Sequence, residues 1–409
     1  MKFEKLFESP VATFAYLERY VNDGSPSGYT FTSGVSDLYS PRGAPEFFKL
    51  PVFSLLRESV TQVGTLANIH WAEALLGQGH VPIPVHPDVL SDVRTGVYLP
   101  NEPYLSLSVS PTASGRTVMT DWRDGVVPIF LKLHYPRVIG RFSRGIPLYK
   151  WVGSIQSSHY LRAFLRDNEG LLGLFDEFAA IYVEGNAASS GFGSIFRKFP
   201  RKALQKGRTA LLPAFSLFSR DYKCPADEPL IAQIVRDCRL SVEDFLERYV
   251  EPIISSYVIL ATQAGLLPEC QAQNVVFGIT AEGYLAGIYL RDMEDVWKDL
   301  TRRESLGLDT ACVEYHTITH ERDADFFKRR SFMYDFKLGE YLLHPLAVAA
   351  HLALGISLND LRLAMQTVGR TAWRAEEDYF QPASRWYCYP NNQVVSRATY
   401  LERANPRFR

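Results

Sequence analysis

The sequence has no excess of charge of either sign. Its 409 residues include 44 Lys and Arg against 45 Asp and Glu, which gives a formal net charge of −1. A protein that binds nucleic acid through the phosphates needs a positive surface field, and a chain with balanced charges has no global field of this kind. The balance argues against nucleic acid as a partner, and the length predicts two or three packed units.

Long apolar segments and paired cysteines are also missing. No window of 18 or more uncharged apolar residues occurs, and the start, MKFEKLFESPVATF, mixes charges into its apolar residues, unlike the core of a signal peptide. The 5 cysteines are scattered without a Cys-x-x-Cys pair, and their odd number argues against a disulfide framework. We expect a cytoplasmic protein with no membrane partner and with reduced cysteines.

What the sequence does contain changes in character along the chain. Two helices are predicted early, at about 5–22 and 52–78. The runs LSLSVS, RTVMTDW and VPIFLKLHY, between 98 and 135, are rich in β-formers and are separated by the turn signals PTASG and RDG, which predicts an antiparallel meander. Further helices are predicted at 156–184, 241–264, 322–353 and 357–375. The order indicates an α+β fold.

The segment EGNAASSGFGSIFRKFPRKALQKGR, at 184–208, is rich in glycine and serine and locally basic. Its Gly191 and Gly193 match neither the P-loop nor the dinucleotide-binding fingerprint. We interpret it as a mobile surface loop whose Arg and Lys side chains are available to an anionic ligand.

A predicted β-hairpin carries the first candidate site. The apolar runs NVVFGI and YLAGIYL flank Thr-Ala-Glu-Gly, with Asn274 at the start and Asp292 just past the end. Because a hairpin returns both ends to one edge of a sheet, these side chains are expected to lie close together, and their oxygens suit Mg²⁺. Glu269, five residues before Asn274, is a further polar candidate. A solvent-facing hairpin with polar ends is the alternative for this stretch alone.

The β-rich middle carries the second candidate site. SPTASGRTV places hydroxyl and guanidinium donors around a tight turn, which suits phosphate oxygens; the donors are Thr112, Ser114, Arg116 and Thr117. Lys132 lies among leucines in the strand PIFLKL, so its ammonium group must meet an acid or a phosphate. Arg144 follows twelve residues later. This order is typical of a site for ATP and Mg²⁺: a donor-rich turn, a lysine in a strand and an arginine, followed downstream by Asn and Asp.

These residues together resemble a known family, the NRPS-independent siderophore synthetases, also called the IucA/IucC family. PTASGRTV is similar to the family's Thr-x-Ser-x-Arg-Thr segment, and FLKLHYPRVIGRFSRGI is similar to its lysine-containing strand followed by an arginine. PECQAQNVVFG resembles Glu-Ala-His-x-Gln-Asn, YLRD resembles Arg-Asp-Phe, and RANPRF resembles the family's C-terminal Asn-Pro. The resemblance is densest over residues 80–300.

The resemblance implies a hand-like architecture and an activity. It implies a shortened helical thumb at 1–97, β-rich fingers at 98–185 and a mixed, largely helical palm at 186–409. It also implies a homodimeric, ATP- and Mg²⁺-dependent ligase that adenylates a carboxylic acid, typically citrate, and passes the acyl group to an amine or an alcohol.

The resemblance assigns roles to particular residues. Ser114, Arg116, Lys132 and Arg144 are expected to contact the ATP phosphates or the reacting carboxylate. The nucleotide and Mg²⁺ site is completed by Glu269, Gln273, Asn274 and Asp292, with Asn274 and Asp292 as the metal ligands.

The sequence departs from the family pattern at two of its motifs. Gln271 stands where the family has a histidine that contributes to the acid side of the site, and an amide is neither a base nor a cation. Only one His-Pro segment is present, so His86 matches either of two family motifs that contribute to nucleotide binding. Two alternatives therefore stay open. The first is a kinase-like phosphotransferase, and the second is a non-catalytic relative that binds a ligand or a partner.

Overall fold

A computed structural model describes the chain over ten ranges: 1–23, 34–67, 69–139, 142–168, 170–185, 191–200, 209–313, 316–319, 326–389 and 400–409. Eleven strands lie before residue 200: β1 (Phe48–Leu56), β2 (Thr61–Gly64), β3 (His80–Pro84), β4 (Leu105–Pro111), β5 (Thr117–Thr120), β6 (Ile129–Leu133), β7 (Tyr135–Ile139), β8 (Phe142–Arg144), β9 (Leu172–Leu174), β10 (Glu177–Val183) and β11 (Phe192–Lys198). Eight of them form one antiparallel sheet in the order β2-β10-β11-β6-β5-β4-β1-β3. The neighbouring strands β4, β5 and β6 confirm the meander predicted at 98–135.

The later strands build smaller sheets. They are β12 (Thr209–Pro213), β13 (Leu266–Leu267), β14 (Val275–Thr280), β15 (Leu285–Leu290), β16 (Trp297–Asp299), β17 (Thr317–Ile318), β18 (Arg385–Cys388) and β19 (Leu401–Ala404). Strands β12, β14, β15 and β9 form a four-stranded sheet, with β14 and β15 as an antiparallel hairpin. Gly283 supplies the positive φ of 75° that the connecting turn requires, and the predicted hairpin is therefore confirmed.

Helices frame both sheets. The α-helices are α1 (Pro10–Tyr20), α2 (Glu73–Gly77), α3 (Leu90–Gly96), α4 (Leu148–Asp167), α5 (Leu230–Asp237), α6 (Val242–Phe245), α7 (Glu251–Ile259), α8 (Leu300–Ser305), α9 (Phe326–Ser331), α10 (His344–Ala350) and α11 (Leu358–Trp373). Three segments are π-helical: Leu246–Val250, Leu260–Ala264 and Phe332–Leu343. Short 3₁₀ turns lie at Phe3–Phe7, Arg57–Ser59, His70–Ala72, Pro87–Val89, Ala214–Leu217, Met293–Asp295 and Arg374–Tyr379. None of the helices in the described ranges combines the length and the apolar character that a membrane crossing requires.

Helix α1 lies where the two large sheets approach each other. Its Phe14 is fully buried and packs on Phe130 of β6 at 6.0 Å, on Phe175 at 5.8 Å and on Phe199 at 5.5 Å between ring centroids. The same apolar cluster takes in Val276 of β14. Burial of these rings fixes α1 against strands of both sheets.

Most of the later helices agree with the sequence-based predictions. The predicted helix at 241–264 is continuous from α6 to the π-helical turn at Leu260–Ala264, and the helix at 357–375 corresponds to α11. Ser357 caps α11, because its hydroxyl oxygen accepts a hydrogen bond from the Asp360 N–H at 3.1 Å.

Three sequence-based predictions of local structure are wrong. Residues 52–78, predicted as one helix, contain the end of β1, β2, two 3₁₀ turns and the short helix α2, because β1 pairs with β3 and β4 and β2 pairs with β10. The helix predicted at 156–184 ends at Asp167 and gives way to β9 and β10. Within the segment interpreted as a surface loop, residues 192–198 form β11, in which a Cβ on Gly193 would overlap the Ile181 carbonyl oxygen of the facing strand. Residues 186–190 and 201–208 of that segment lie outside the described ranges.

The division of the chain at 97/98 and 185/186 stays a prediction. The eight-stranded sheet takes strands from both sides of each of these boundaries.

Candidate active site

The turn between β4 and β5 is closed by its own polar side chains. The Thr112 hydroxyl donates to the Thr117 carbonyl oxygen at 2.7 Å, and the Ser114 hydroxyl accepts from the Thr117 N–H at 3.0 Å. Gly115 adopts a φ of 71°, a conformation that strains other residues. Arg116 donates to the Arg144 carbonyl oxygen at 2.8 Å, which ties the turn to β8. The predicted donor turn is thus a rigid structure.

Lys132 of β6 lies beside the end of the hairpin. Its side chain is almost fully buried, and its ammonium group donates to Asp292 and, at 2.8 Å, to Glu294. Burial lowers the pKa of Lys132, but the two carboxylates outweigh burial and the pKa is raised. Lys132 therefore stays charged. Asp292 has a φ of 69°, a left-handed conformation that aspartate tolerates better than most residues.

Glu294 gathers further cations at this point. Its carboxylate lies 2.5 Å from the Lys150 ammonium group and 3.8 Å from the Arg116 guanidinium. Burial raises the pKa of Glu294, but Lys132, Arg116 and Lys150 together lower it well below its ordinary value. Glu294 is thus ionised, and it pairs with three cations, which come from the donor turn, from β6 and from α4.

The start of the hairpin carries a second polar group. The Glu269 carboxylate accepts from the Gln271 side-chain amide at 2.9 Å and from the Asn274 side-chain amide at 3.0 Å. Lys337, on the π-helical segment Phe332–Leu343, pairs with the same carboxylate. Gln271 thus lies beside Glu269 and Asn274, where the sequence predicted the acid side of the site. The cation that reaches Glu269 is Lys337.

Between the turn and the hairpin lies an open cleft. Its lining residues come from α1, the donor turn, β6, β11 and the hairpin ends: Glu18, Thr112, Ser114, Thr117, Phe130, Arg197, Gln273, Asn274, Arg291 and Asp292. Arg197 is buried, pairs with the fully buried Glu177 and lies 3.7 Å from the Asp292 carboxylate. Arg291, the second arginine of the lining, pairs with Glu18, and charges at this depth act through a weakly screening medium.

Asp295 is a carboxylate whose pKa differs strongly from its ordinary value. Burial first, and then the carboxylates of Glu269, Glu294 and Asp292, raise the pKa of Asp295 well above its usual value. About a third of its side chain stays exposed, at 34%. Strong perturbation of this kind is concentrated at functional sites.

Most of the predicted site residues lie together. Six of them line the cleft: Thr112, Ser114, Thr117, Gln273, Asn274 and Asp292. Arg116, Lys132, Glu269 and Gln271 adjoin it through the contacts above, and Arg144 lies near Arg116, whose pKa its charge helps to lower. Asn274 and Asp292 line the same cleft, and the Arg291 N–H donates to the Asn274 carbonyl oxygen at 2.9 Å.

His86 does not line the cleft, which corrects its prediction as a direct nucleotide contact. It is fully buried among the rings of Tyr39, Phe48 and Tyr135, with centroid distances of 5.4, 6.1 and 5.2 Å. Its Nδ1 accepts from the Asp88 N–H at 3.2 Å. Burial lowers the pKa of His86 to about 4, so the ring is neutral and packs behind the donor turn.

Sequence reasoning missed several charged residues of the site. Glu18, Glu177, Lys150 and Lys337 reach it from distant helices and strands, and no local pattern marks them. Arg197 belongs to the basic segment whose cations were expected to be available to an anion. The closely spaced acids of RDMED, at 291–295, were a usable signal for Glu294 and Asp295.

The fold is that of the NRPS-independent siderophore synthetases. The petrobactin biosynthesis protein AsbB from Bacillus anthracis superposes with a TM-score of 0.75 at 15% identity, over 98% of this chain and 78% of that chain. The aerobactin synthetase IucC from Klebsiella pneumoniae superposes with a TM-score of 0.69 at 15% identity, over 93% of this chain and 72% of that chain. ATP-bound aerobactin synthetase IucA from the same species superposes with a TM-score of 0.68 at 13% identity, over 99% of this chain and 78% of that chain. No family model and no curated protein sequence matches the chain.

Proposed function

We propose that this protein is an ATP-dependent ligase that joins a carboxylic acid to an amine or an alcohol in the biosynthesis of a siderophore or a related small molecule. The observation that carries the proposal is the cleft between the donor turn and the hairpin. Arg197, Arg291 and Lys132 lie in or beside it, on a fold shared with a synthetase described as ATP-bound. Buried guanidinium and ammonium groups that exchange their carboxylate partners for phosphate oxygens can bind a triphosphate and a second anion.

In the proposed first step, a carboxylate oxygen of the acid attacks the α-phosphorus of ATP. The bond between the α-phosphorus and the bridging oxygen breaks, and pyrophosphate leaves with an acyl adenylate as the other product. Two anions must approach each other, so cations are needed to offset their repulsion. In this proposal Arg197 and Lys132 supply these cations, and the Ser114 and Thr117 hydroxyls bind phosphate oxygens.

In the second step, the nucleophile attacks the acyl carbon, AMP leaves with the electrons of the acyl–oxygen bond, and the nucleophile loses a proton. Asn274 and Asp292 offer the oxygen ligands that Mg²⁺ prefers, and a bound Mg²⁺ would neutralise phosphate charge. Because Lys132 pairs with Asp292, this role requires that ammonium group to move to the nucleotide. A homodimer is a further expectation carried by the family resemblance alone.

The test is a pyrophosphate-release screen of the purified protein with ATP, Mg²⁺, a panel of carboxylic acids and a panel of amines and hydroxy-amino acids. We expect AMP and pyrophosphate with at least one acid, and loss of turnover in Asp292→Asn. Glu282→Gln, an exposed carboxylate at the other end of the same hairpin, is the matched control and should keep the activity. ADP as the product would support a kinase-like phosphotransferase instead. The absence of ATP binding, with Asp292→Asn unchanged, would leave the non-catalytic alternative.

A further inference from the structure

Glu18 is a buried carboxylate that the proposed chemistry does not use. It lies on α1, is 1% exposed and forms part of the cleft wall. Removing a carboxylate from water is costly unless its oxygens are paired. The hydrogen-bond partners of Glu18 therefore indicate its role.

The two carboxylate oxygens of Glu18 bind the two sides of the cleft. One oxygen accepts from the Ala113 N–H of the donor turn at 3.0 Å. The other accepts from the Arg291 guanidinium at 2.5 Å, at the end of the hairpin. Neither contact is local, because α1 is far from both segments in the sequence.

Arg291 continues the connection into the strand opposite. Its Nε donates to the Gln273 carbonyl oxygen at 2.6 Å, and its backbone N–H donates to the Asn274 carbonyl oxygen at 2.9 Å. A single chain of directional, charge-assisted hydrogen bonds therefore runs from Ala113 through Glu18 and Arg291 to the residues that start the hairpin. The ring cluster around Phe14 anchors α1 one turn earlier, so Glu18 is held on a fixed support.

We propose that Glu18 is a positioning residue that sets the separation between the donor turn and the hairpin, and with it the affinity of the cleft for ATP. The inference rests on the proposed function. A displacement of about 1 Å in such a site is enough to cost a large factor in binding or rate. The chain uses its N-terminal helix, which carries no predicted nucleotide contact, to fix the two halves of the site relative to each other.

The test variant is Glu18→Gln, which keeps an oxygen for the Ala113 N–H but removes the charge that Arg291 binds. Glu8→Gln is the matched control, since Glu8 is exposed just before the same helix and the chemical change is identical. The measurements are ATP affinity by calorimetry, the KM for ATP and for the acid separately, and amide hydrogen exchange of residues 112–117. We expect Glu18→Gln to weaken ATP binding about tenfold or more, because a charge-assisted hydrogen bond is lost.

We also expect the KM for the acid to stay within about twofold, the exchange of residues 112–117 to increase, and Glu8→Gln to behave as the wild type. A Glu18→Gln variant that binds ATP as the wild type does would overturn the inference while leaving the proposed function standing. An equal rise of both KM values would assign Glu18 a general structural role and would also overturn it. A wild-type protein that binds no ATP would remove the proposed function and this inference together.

Should Glu18→Gln not fold, Arg291→Lys examines the same bridge. A lysine keeps the charge but cannot donate to Glu18 and to the Gln273 carbonyl oxygen in the same geometry. Weaker ATP binding with an unchanged KM for the acid is again the expected result, and unchanged ATP binding is the result against it.

Discussion

Replacing Lys132 by Met should lower the melting temperature Tm of the protein, and the size of the shift follows from the ion pairs that Lys132 makes. Lys132 lies between Asp292 and Glu294, and its side chain is only 3% exposed. Removing one partner of a buried ion pair costs about 3–5 kcal/mol. Without Lys132, Glu294 keeps Lys150 and Arg116, and the nearest cation to Asp292 is Arg197 at 3.7 Å. With an unfolding entropy of about 2.1 cal/mol/K per residue, the whole chain has about 0.9 kcal/mol/K, so Tm should fall by about 3–6 °C.

Lys150→Met is the control for this prediction, measured by the same thermal unfolding experiment. Lys150 pairs with Glu294 at 2.5 Å, yet a quarter of its side chain is exposed. An ion pair that water screens contributes less than about 1 kcal/mol, so its Tm should change by about 1 °C or less. Adding Asp292→Asn to Lys132→Met should restore part of the loss, because it removes the carboxylate that has lost its closest cation. A Lys132→Met protein with the wild-type Tm, or a Lys150→Met protein that loses as much, would refute the reasoning.

Three further predictions concern stability away from the cleft. The His86 pKa is lowered to about 4 by burial, whereas the unfolded chain takes up this proton near pH 6.5, so His86 alone should contribute a loss of stability of about 2 kcal/mol between pH 7 and pH 5. Denaturant titrations of His86→Gln should show a smaller loss, and an equal loss would exclude His86 as the cause. Arg330→Met should lower the free energy of unfolding by about 3–5 kcal/mol, because Arg330 binds the fully buried Asp299 at 2.6 Å. An unchanged Tm would contradict this. Gly193→Ala should lower the free energy of unfolding by about 1–3 kcal/mol, because the added Cβ overlaps β10. Gly170→Ala, where a Cβ meets nothing within 4 Å, should keep the wild-type denaturation midpoint. Similar denaturation midpoints for the two variants would count against the overlap.

The parts of the site that sequence reasoning found are those in which one short segment carries both the pattern and the chemistry. The hairpin was predictable because apolar runs flank a turn and because hairpin geometry brings Asn274 and Asp292 together. Lys132 was predictable as a buried cation because the leucines around it placed it in a strand. Its actual partners, Asp292 and Glu294, come from far along the chain, and no local pattern states such pairings.

The errors arose where tertiary pairing overrode local preference. Residues 52–78 have apolar spacing that also fits a helix, but strand partners some distance away selected β1 and β2. Glycine in the segment 184–208 suggested a loop, whereas Gly193 is there because the facing strand and a tryptophan approach too closely for a side chain. Glu18 was missed for the same reason, since its role exists only after α1 packs against both sheets.

The pairing of β2 with β10 has a consequence for how the chain acquires its fold. Residues 61–64 form the edge of the eight-stranded sheet by pairing with residues 179–182. At about 5–20 residues per second, a ribosome needs about 6–24 s to synthesise the intervening chain. During that interval β1, β3 and β4 can already pair with one another, while β2 has no partner. Long-range pairing of this kind slows folding, so β2 should gain protection later than β1, β3 and β4 during synthesis.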